Sequence, residues 1–262
     1  MSIAFDRAAG YYDETRGIPP EVEELAADRV EAAVGPDGRL LEVGVGTGRV
    51  SLPLHRRGRD LVGVDLSGPM LDRYRAKAAA EGLPPPVLVR GDATRLPFRD
   101  ACVDAVLEVH VLHLVPDWRR ALAEARRVLA PGGVVLIGRG SSHRGKEGPR
   151  ADTLWRFDRL ARELGGGARA VGTADIAEKV AGLVALGGTA EPLEPVVWEQ
   201  QESYGEALAA VERRIWSHTW RLSDEVFGAA TRRLRAELEA AHPDLDRPQA
   251  ATHEFTLTAV RF

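Results

Sequence analysis

The sequence predicts an α/β fold, and three observations carry that expectation. The apolar stretch from Leu40 runs into a Gly44-Val45-Gly46-Thr47-Gly48 turn and out into a helix-like segment, the strand-loop-helix opening of a nucleotide-binding domain. The stretch Asp60 to Leu66 repeats the apolar pattern and ends on an acid, Asp65. A third short run, Pro86 to Arg90, leads into Gly91-Asp92-Ala93, and helical spacings separate the three.

The chain opens with Tyr11-Tyr12-Asp13-Glu14-Thr15-Arg16 and Pro19-Pro20, then reads as a helix from about Glu21 to Val34. The glycine turn follows the first strand. Without Cβ atoms its backbone can bend sharply at the strand end and lie close to a flat ligand, while its amides and the helix N-terminus offer donors. A bound cofactor is expected there. The dinucleotide fingerprint G-x-G-x-x-G places its last glycine where this chain has Arg49, so the spacing here is G-x-G-x-G after the acidic Glu42. Asp65 lies 21 positions beyond Gly44, the distance at which a carboxylate on the neighbouring strand can accept both ribose hydroxyls. Ser67 and Pro69 supply cap and first-turn chemistry for a helix carrying Met70, Leu71 and Tyr74.

A fourth strand is expected over Ala105 to Val109, and two histidines, His110 and His113, follow its carboxyl end, where open α/β sheets place their ligands. Trp118 to Leu129 reads as a helix with Leu122, Ala125 and Val128 on one face. Ala130-Pro131-Gly132-Gly133 breaks it before a strand over Val134 to Gly138. Beyond a polar loop from Ser141 to Arg150, Thr153 to Leu164 and Thr173 to Leu186 look helical, and Val196 to Ser203 reads as a strand. Tyr204 to Arg221 and Ser223 to His242 read as two further helices, the first carrying Trp216, His218 and Trp220, before Thr252 to Phe262 alternates as a last strand. The expected boundaries are a helical cover over 1–35, the α/β domain over 36–202, a helical lid with its own aromatics over 203–250, and the last strand over 251–262.

Composition narrows the class. At 262 residues the chain can bury a full core, and one main domain with an insertion is expected. A net charge of -4 gives no global attraction to nucleic acid or to an anionic membrane, so neither is the expected partner. Cys102 is the single cysteine, which excludes an intrachain disulfide and a cysteine-rich zinc site. The first residues are charged where a signal peptide would be apolar, and no stretch approaches the roughly 18 apolar residues of a membrane span. A cytoplasmic protein, monomer or homodimer, is expected, with no metal.

The form E-V-G-x-G-T-G-R at the glycine turn, G-D-A followed by L-P-F after the third strand, and R-V-L-x-P-G-G before the fifth together resemble the class I S-adenosylmethionine-dependent methyltransferases. The resemblance is ordered from Leu40 to about Ile137 and thins on both sides. It implies a doubly wound, mostly parallel sheet of seven strands with the last antiparallel, and S-adenosyl-L-methionine as cofactor. It also implies a role for the Tyr-Asp-x-x-Arg element, matched by Tyr12 and Arg16, at the methionine end of that cofactor. The implied cofactor-binding set is Tyr12, Arg16, Glu42, Gly44, Val45, Gly46, Gly48, Asp65, Leu66, Met70, Asp92, Ala93, Val109 and His110. His113, with His110 beside it, is the candidate base towards a small-molecule acceptor.

The chain reads E-V-H-V after the fourth strand, without the Asn/Asp-Pro-Pro-aromatic motif of amino-methylating DNA enzymes, and it lacks the Pro-Cys nucleophile of cytosine enzymes. A nicotinamide oxidoreductase is the alternative enzyme, set against by Arg49 in place of the third glycine. A non-catalytic S-adenosylmethionine-binding protein is the other alternative, because fold and cofactor do not prove turnover.

Overall fold

Leu40–Val43, here β1, is buried along its whole length, and both of its neighbours run parallel to it. In the computed structural model, which describes residues 2–16, 18–143, 148–166 and 171–262, β1 lies between β2 (Leu61–Asp65) and β4 (Val103–Val109). The side chains of Arg16 and of 140–143 are outside the description. β3 (Val87–Arg90) pairs parallel with β2, and β5 (Leu129–His143) parallel with β4. Beyond β5 come β8 (Gln249–Arg261) and then β6 (Thr189–Pro192), giving the order β3-β2-β1-β4-β5-β8-β6. β6 and β8 are antiparallel. β7 (Val196–Glu202) pairs with β8 off this path, so the sheet has eight strands where seven are expected.

The difference at β6 has a physical cause. Thr-Ala-Glu-Pro is exposed throughout, holds a proline and stands at the sheet edge, so no alternation of burial marks it in the sequence. The segment expected as the sixth strand is instead β7. The break expected at Ala130 to Gly133 is a bulge inside β5, across which the partner register jumps from Val103↔Leu129 to Ala105↔Val134.

The chain divides into two units, one of residues 1–140, 171–196 and 255–262 and another of 141–170 and 197–254. In the first, helices α1 (Tyr12–Arg16), α2 (Pro20–Val34), α3 (Ser51–Arg56), α4 (Gly68–Ala80), α5 (Trp118–Val128) and α7 (Ile176–Ala185) accompany the parallel strands. Leu41, Val43, Val106 and Val135 on the strands meet Leu122 and Leu183 on α5 and α7 in one apolar core. Helix starts follow the expected chemistry: Ser67 caps α4 by accepting from the Met70 amide, and Asp117 caps α5 by accepting from Arg120.

The second unit contains α6 (Pro149–Glu163), α8 (Tyr204–Glu212) and α9 (Asp224–Ala241), which pack on one another through buried Phe157, Leu160, Leu208, Val211, Leu234 and Leu238. The single helix expected from Tyr204 to Arg221 is two pieces. Arg214 takes a positive φ of 51°, which ends α8, and a short helical turn follows over Ser217–Arg221. The Arg214 carbonyl accepts the Trp220 indole N–H at 2.7 Å, His218 pairs with Asp158 at 3.3 Å, and Trp216 is buried.

Candidate cofactor site

The three turn glycines all take positive φ, 76°, 55° and 79° for Gly44, Gly46 and Gly48, but they do different work. A Cβ at Gly44 would come within 2.5 Å of the Val111 side chain, so the end of β1 needs glycine to lie against the segment after β4. A Cβ at Gly46 would press on the Met70 methyl at 3.3 Å and lie 3.9 Å from the Gly44 carbonyl, so the middle glycine is fitted to the start of α4. Val45 turns inward, buried with Leu52, Leu71 and Tyr74.

Asp65 ends β2 and faces this turn. Its Oδ2 accepts the Gly46 amide at 2.9 Å and its Oδ1 the Ser67 amide at 2.8 Å. Both bonds favour the charged form, yet burial dominates and holds the carboxyl above the usual aspartate range. Each oxygen keeps a lone pair beyond its amide, so the fixed carboxylate can accept a vicinal diol, which fits the ribose of an adenosyl cofactor. Leu66 is half-buried beyond it, and Met70 is buried on the first turn of α4.

Asp92 follows β3. Its Oδ1 accepts the Thr94 amide and hydroxyl, both at 2.9 Å, the local turn in which aspartate is common. The Ser2 hydroxyl stands 3.2 Å from both Asp92 oxygens. Ala93 is buried in the main core.

Glu42 is beneath the turn. It is buried within β1, accepts the hydroxyl of Ser51 on α3, and burial pushes its carboxyl up to about 8. Its contact is thus to the helix that follows the turn, and this chain's acid there braces turn and helix together.

His110 closes β4 with a positive φ of 55°, a conformation uncommon outside glycine in which asparagine, aspartate and histidine are the enriched residues and which concentrates at functional sites. Its ring meets that of His113 edge-on at 6.4 Å between centroids. Val109 is buried at the strand end, and Tyr12 packs edge-on against Phe5 at 6.0 Å. The side chain of Arg16 lies outside the described residues.

Sequence reasoning passes over Glu108. This acid is buried on β4 with no hydrogen-bond partner on either oxygen, and burial pushes it up to about 7 against the opposing field of Lys179. The signal is present in the sequence, since Glu108 interrupts the apolar run from Ala105 to Val109. Among the described residues no group of three or more histidines, cysteines or acids could hold a metal, and no helix is long and apolar enough to cross a membrane.

A family model described as a methyltransferase domain matches residues 41–137. An uncharacterized methyltransferase of Mycobacterium bovis is 41% identical over 134 residues, covering 51% of this chain and 50% of that protein. A malonyl-[acyl-carrier protein] O-methyltransferase of Serratia marcescens is 35% identical over 137 residues, covering 52% and 51%. The chain thus spans about half the length of the curated relatives it matches. Among solved structures, a phosphoethanolamine N-methyltransferase 2 of Haemonchus contortus, in complex with phosphomonomethylethanolamine and S-adenosylhomocysteine, superposes with a TM-score of 0.55 at 17% identity, covering 98% of this chain and 57% of that one. With the family match, these relatives and the sheet order in agreement, residues 41–137 form a methyltransferase domain of the class I S-adenosylmethionine-dependent kind, whose cofactor is S-adenosylmethionine.

Proposed function

We propose that this chain transfers the methyl group of S-adenosylmethionine to a small-molecule acceptor. The observation that carries the reading is the Asp65 carboxylate, fixed by the amides of Gly46 and Ser67 at the glycine turn. In this reading Asp65 receives the ribose hydroxyls, Gly44 to Gly48 and Met70 border the adenosyl group, Asp92 and Ala93 meet the adenine edge, and Tyr12 and Arg16 serve the methionine end.

When bound, the cofactor supplies an electrophilic methyl carbon on a sulfonium, and transfer is an in-line displacement. The chain's own contribution is therefore alignment and exclusion of water. His113, held near His110 after β4, accepts the proton that an acceptor hydroxyl or ammonium group gives up, at an imidazole nitrogen. The Serratia relative methylates an oxygen acceptor by its name and the Haemonchus structure holds an amine, so the acceptor atom differs between proteins of this fold. A small acceptor is supported here by the net charge of -4, which offers no general attraction to nucleic acid.

Calorimetric titration with S-adenosylmethionine, S-adenosylhomocysteine and NAD tests the reading, followed by a screen for methyl transfer from labelled cofactor to small acceptors. Micromolar binding of both adenosyl ligands, lost in Asp65→Ala, with a methylated product, is expected. Cofactor binding without product from any acceptor would leave a binding protein, and binding of NAD alone would overturn the cofactor assignment.

A further inference from the structure

The N-terminal segment is hooked to the ends of three consecutive strands of the sheet. Beyond β3, the Ser2 hydroxyl donates to the Asp92 carboxylate, 3.2 Å from each oxygen. Beyond β2, Asp6 accepts the Ser67 hydroxyl at 2.5 Å, next to the amide that holds Asp65. Beyond β1, Asp13 accepts the Thr47 hydroxyl at 2.5 Å inside the glycine turn and pairs with Lys77 at 3.3 Å. Two main-chain contacts fasten the stretches between. The Ile3 amide donates to the Leu114 carbonyl at 3.1 Å, and Arg73 donates to the Ala9 carbonyl at 3.2 Å.

All of these partners lie within the first unit, and the hooks fall on, or one or two residues from, the groups assigned above to the cofactor. We infer that residues 2–9, anchored behind by Asp13, form a strap that competes with the cofactor's adenine for Asp92, so that the cofactor enters by releasing Ser2. Thr94 already donates twice to Asp92 Oδ1, and Ser2 donates towards Oδ2. An amine donor that approaches Oδ2 along the direction Ser2 occupies meets the serine hydroxyl in its place. The second hook acts in the same sense, because the negative charge of Asp6 adds to the terms that hold the Asp65 carboxyl up, and lifting the strap removes it.

This inference rests on the cofactor reading above. The test is S-adenosylhomocysteine binding to the full chain and to Ser2→Ala and Asp6→Ala, with hydrogen exchange at the Ile3 amide followed in each. Each variant is expected to bind severalfold more tightly, chiefly through a faster association rate, since each loses one hydroxyl-to-carboxylate hydrogen bond of the strap. The Ile3 amide should exchange faster on ligand binding, and faster in both variants without ligand. Unchanged or weaker binding by both variants, or an Ile3 amide more protected in the complex, would overturn the strap while leaving the cofactor site standing. No binding of S-adenosylhomocysteine to the unaltered chain would overturn the cofactor reading and the strap with it.

Discussion

The ring of Tyr74 on α4 stands against the last glycine of the turn, with ring carbons 2.7 Å from where a Gly48 Cβ would lie. The third glycine is thus specified by a helix that begins 20 residues later, and it also needs the φ of 79° that side chains resist. Gly48→Ala should lower stability by about 2–4 kcal/mol, combining left-handed strain with overpacking. A thermal melt measures it. Tyr74→Leu in the same chain should recover part of the loss, leaving the φ penalty, and strict additivity of the two substitutions would refute the contact.

That contact also marks where sequence reading ends. The strands β1 to β3 were legible because they are short runs closed by glycine or an acid, β4 by its apolar run into His110, and the cap residues Ser67 and Asp117 announce their helices. The order of Gly44, Asp65 and Asp92 along the chain carried the candidate site. What was not legible are relations that only folding creates. Glycine spacing does not tell that Gly44 is fitted to Val111, Gly46 to Met70 and Gly48 to Tyr74, and nothing in Met-Ser-Ile announces a serine 90 positions from its aspartate. Likewise β6 is exposed on both faces, so no periodicity marks it, and the turn at Arg214 interrupts a helical pattern that the apolar spacing would continue.

Asp65→Asn should weaken S-adenosylhomocysteine binding by about 10- to 100-fold, equivalent to roughly 1.4–2.8 kcal/mol. The carboxylate takes an amide on each oxygen, and an asparagine presents an N–H to one of them, turning an acceptor into a clash of donors. The loss should appear in calorimetry together with faster exchange of the Gly46 amide. Wild-type affinity in the variant would remove Asp65 from the cofactor site.

The buried Glu42 makes stability depend on pH in a defined direction. Its folded carboxyl titrates at about 8 because burial penalises the charged form, against 4.5 for an ordinary glutamate. A raised acid favours the fold while it is protonated, so the contribution is full below about pH 4.5, falls as pH rises towards 8, and is absent above that. Glu108, pushed up to about 7, acts in the same direction over a narrower window. Glu42→Gln, which mimics the neutral acid, should therefore gain on the wild-type melting temperature progressively between pH 5 and 8.5. A difference that stays flat with pH would show that Glu42 is ionised throughout.

Glu202 ties three elements of the second unit together. Its Oε1 lies 3.1 Å from His253 Nε2 on β8 and 3.4 Å from Arg150 Nε, and its Oε2 accepts the Arg150 amide at 3.1 Å at the start of α6. Both Glu202 and His253 are almost wholly buried, and the His253 ring stacks on Trp198 of β7 at 5.3 Å. Removing the Glu202 charge takes away the carboxylate that His253 and Arg150 share, and breaking a buried pair costs about 3–5 kcal/mol. Glu202→Gln should approach that loss in chemical denaturation, whereas His253→Gln, which keeps an N–H donor, should cost less. Because the two side chains share one contact, the double variant should lose less than the two single losses added together. Additive losses would mean that the histidine and the carboxylate stabilise the unit independently, and the 3.1 Å contact would then carry no energy of its own.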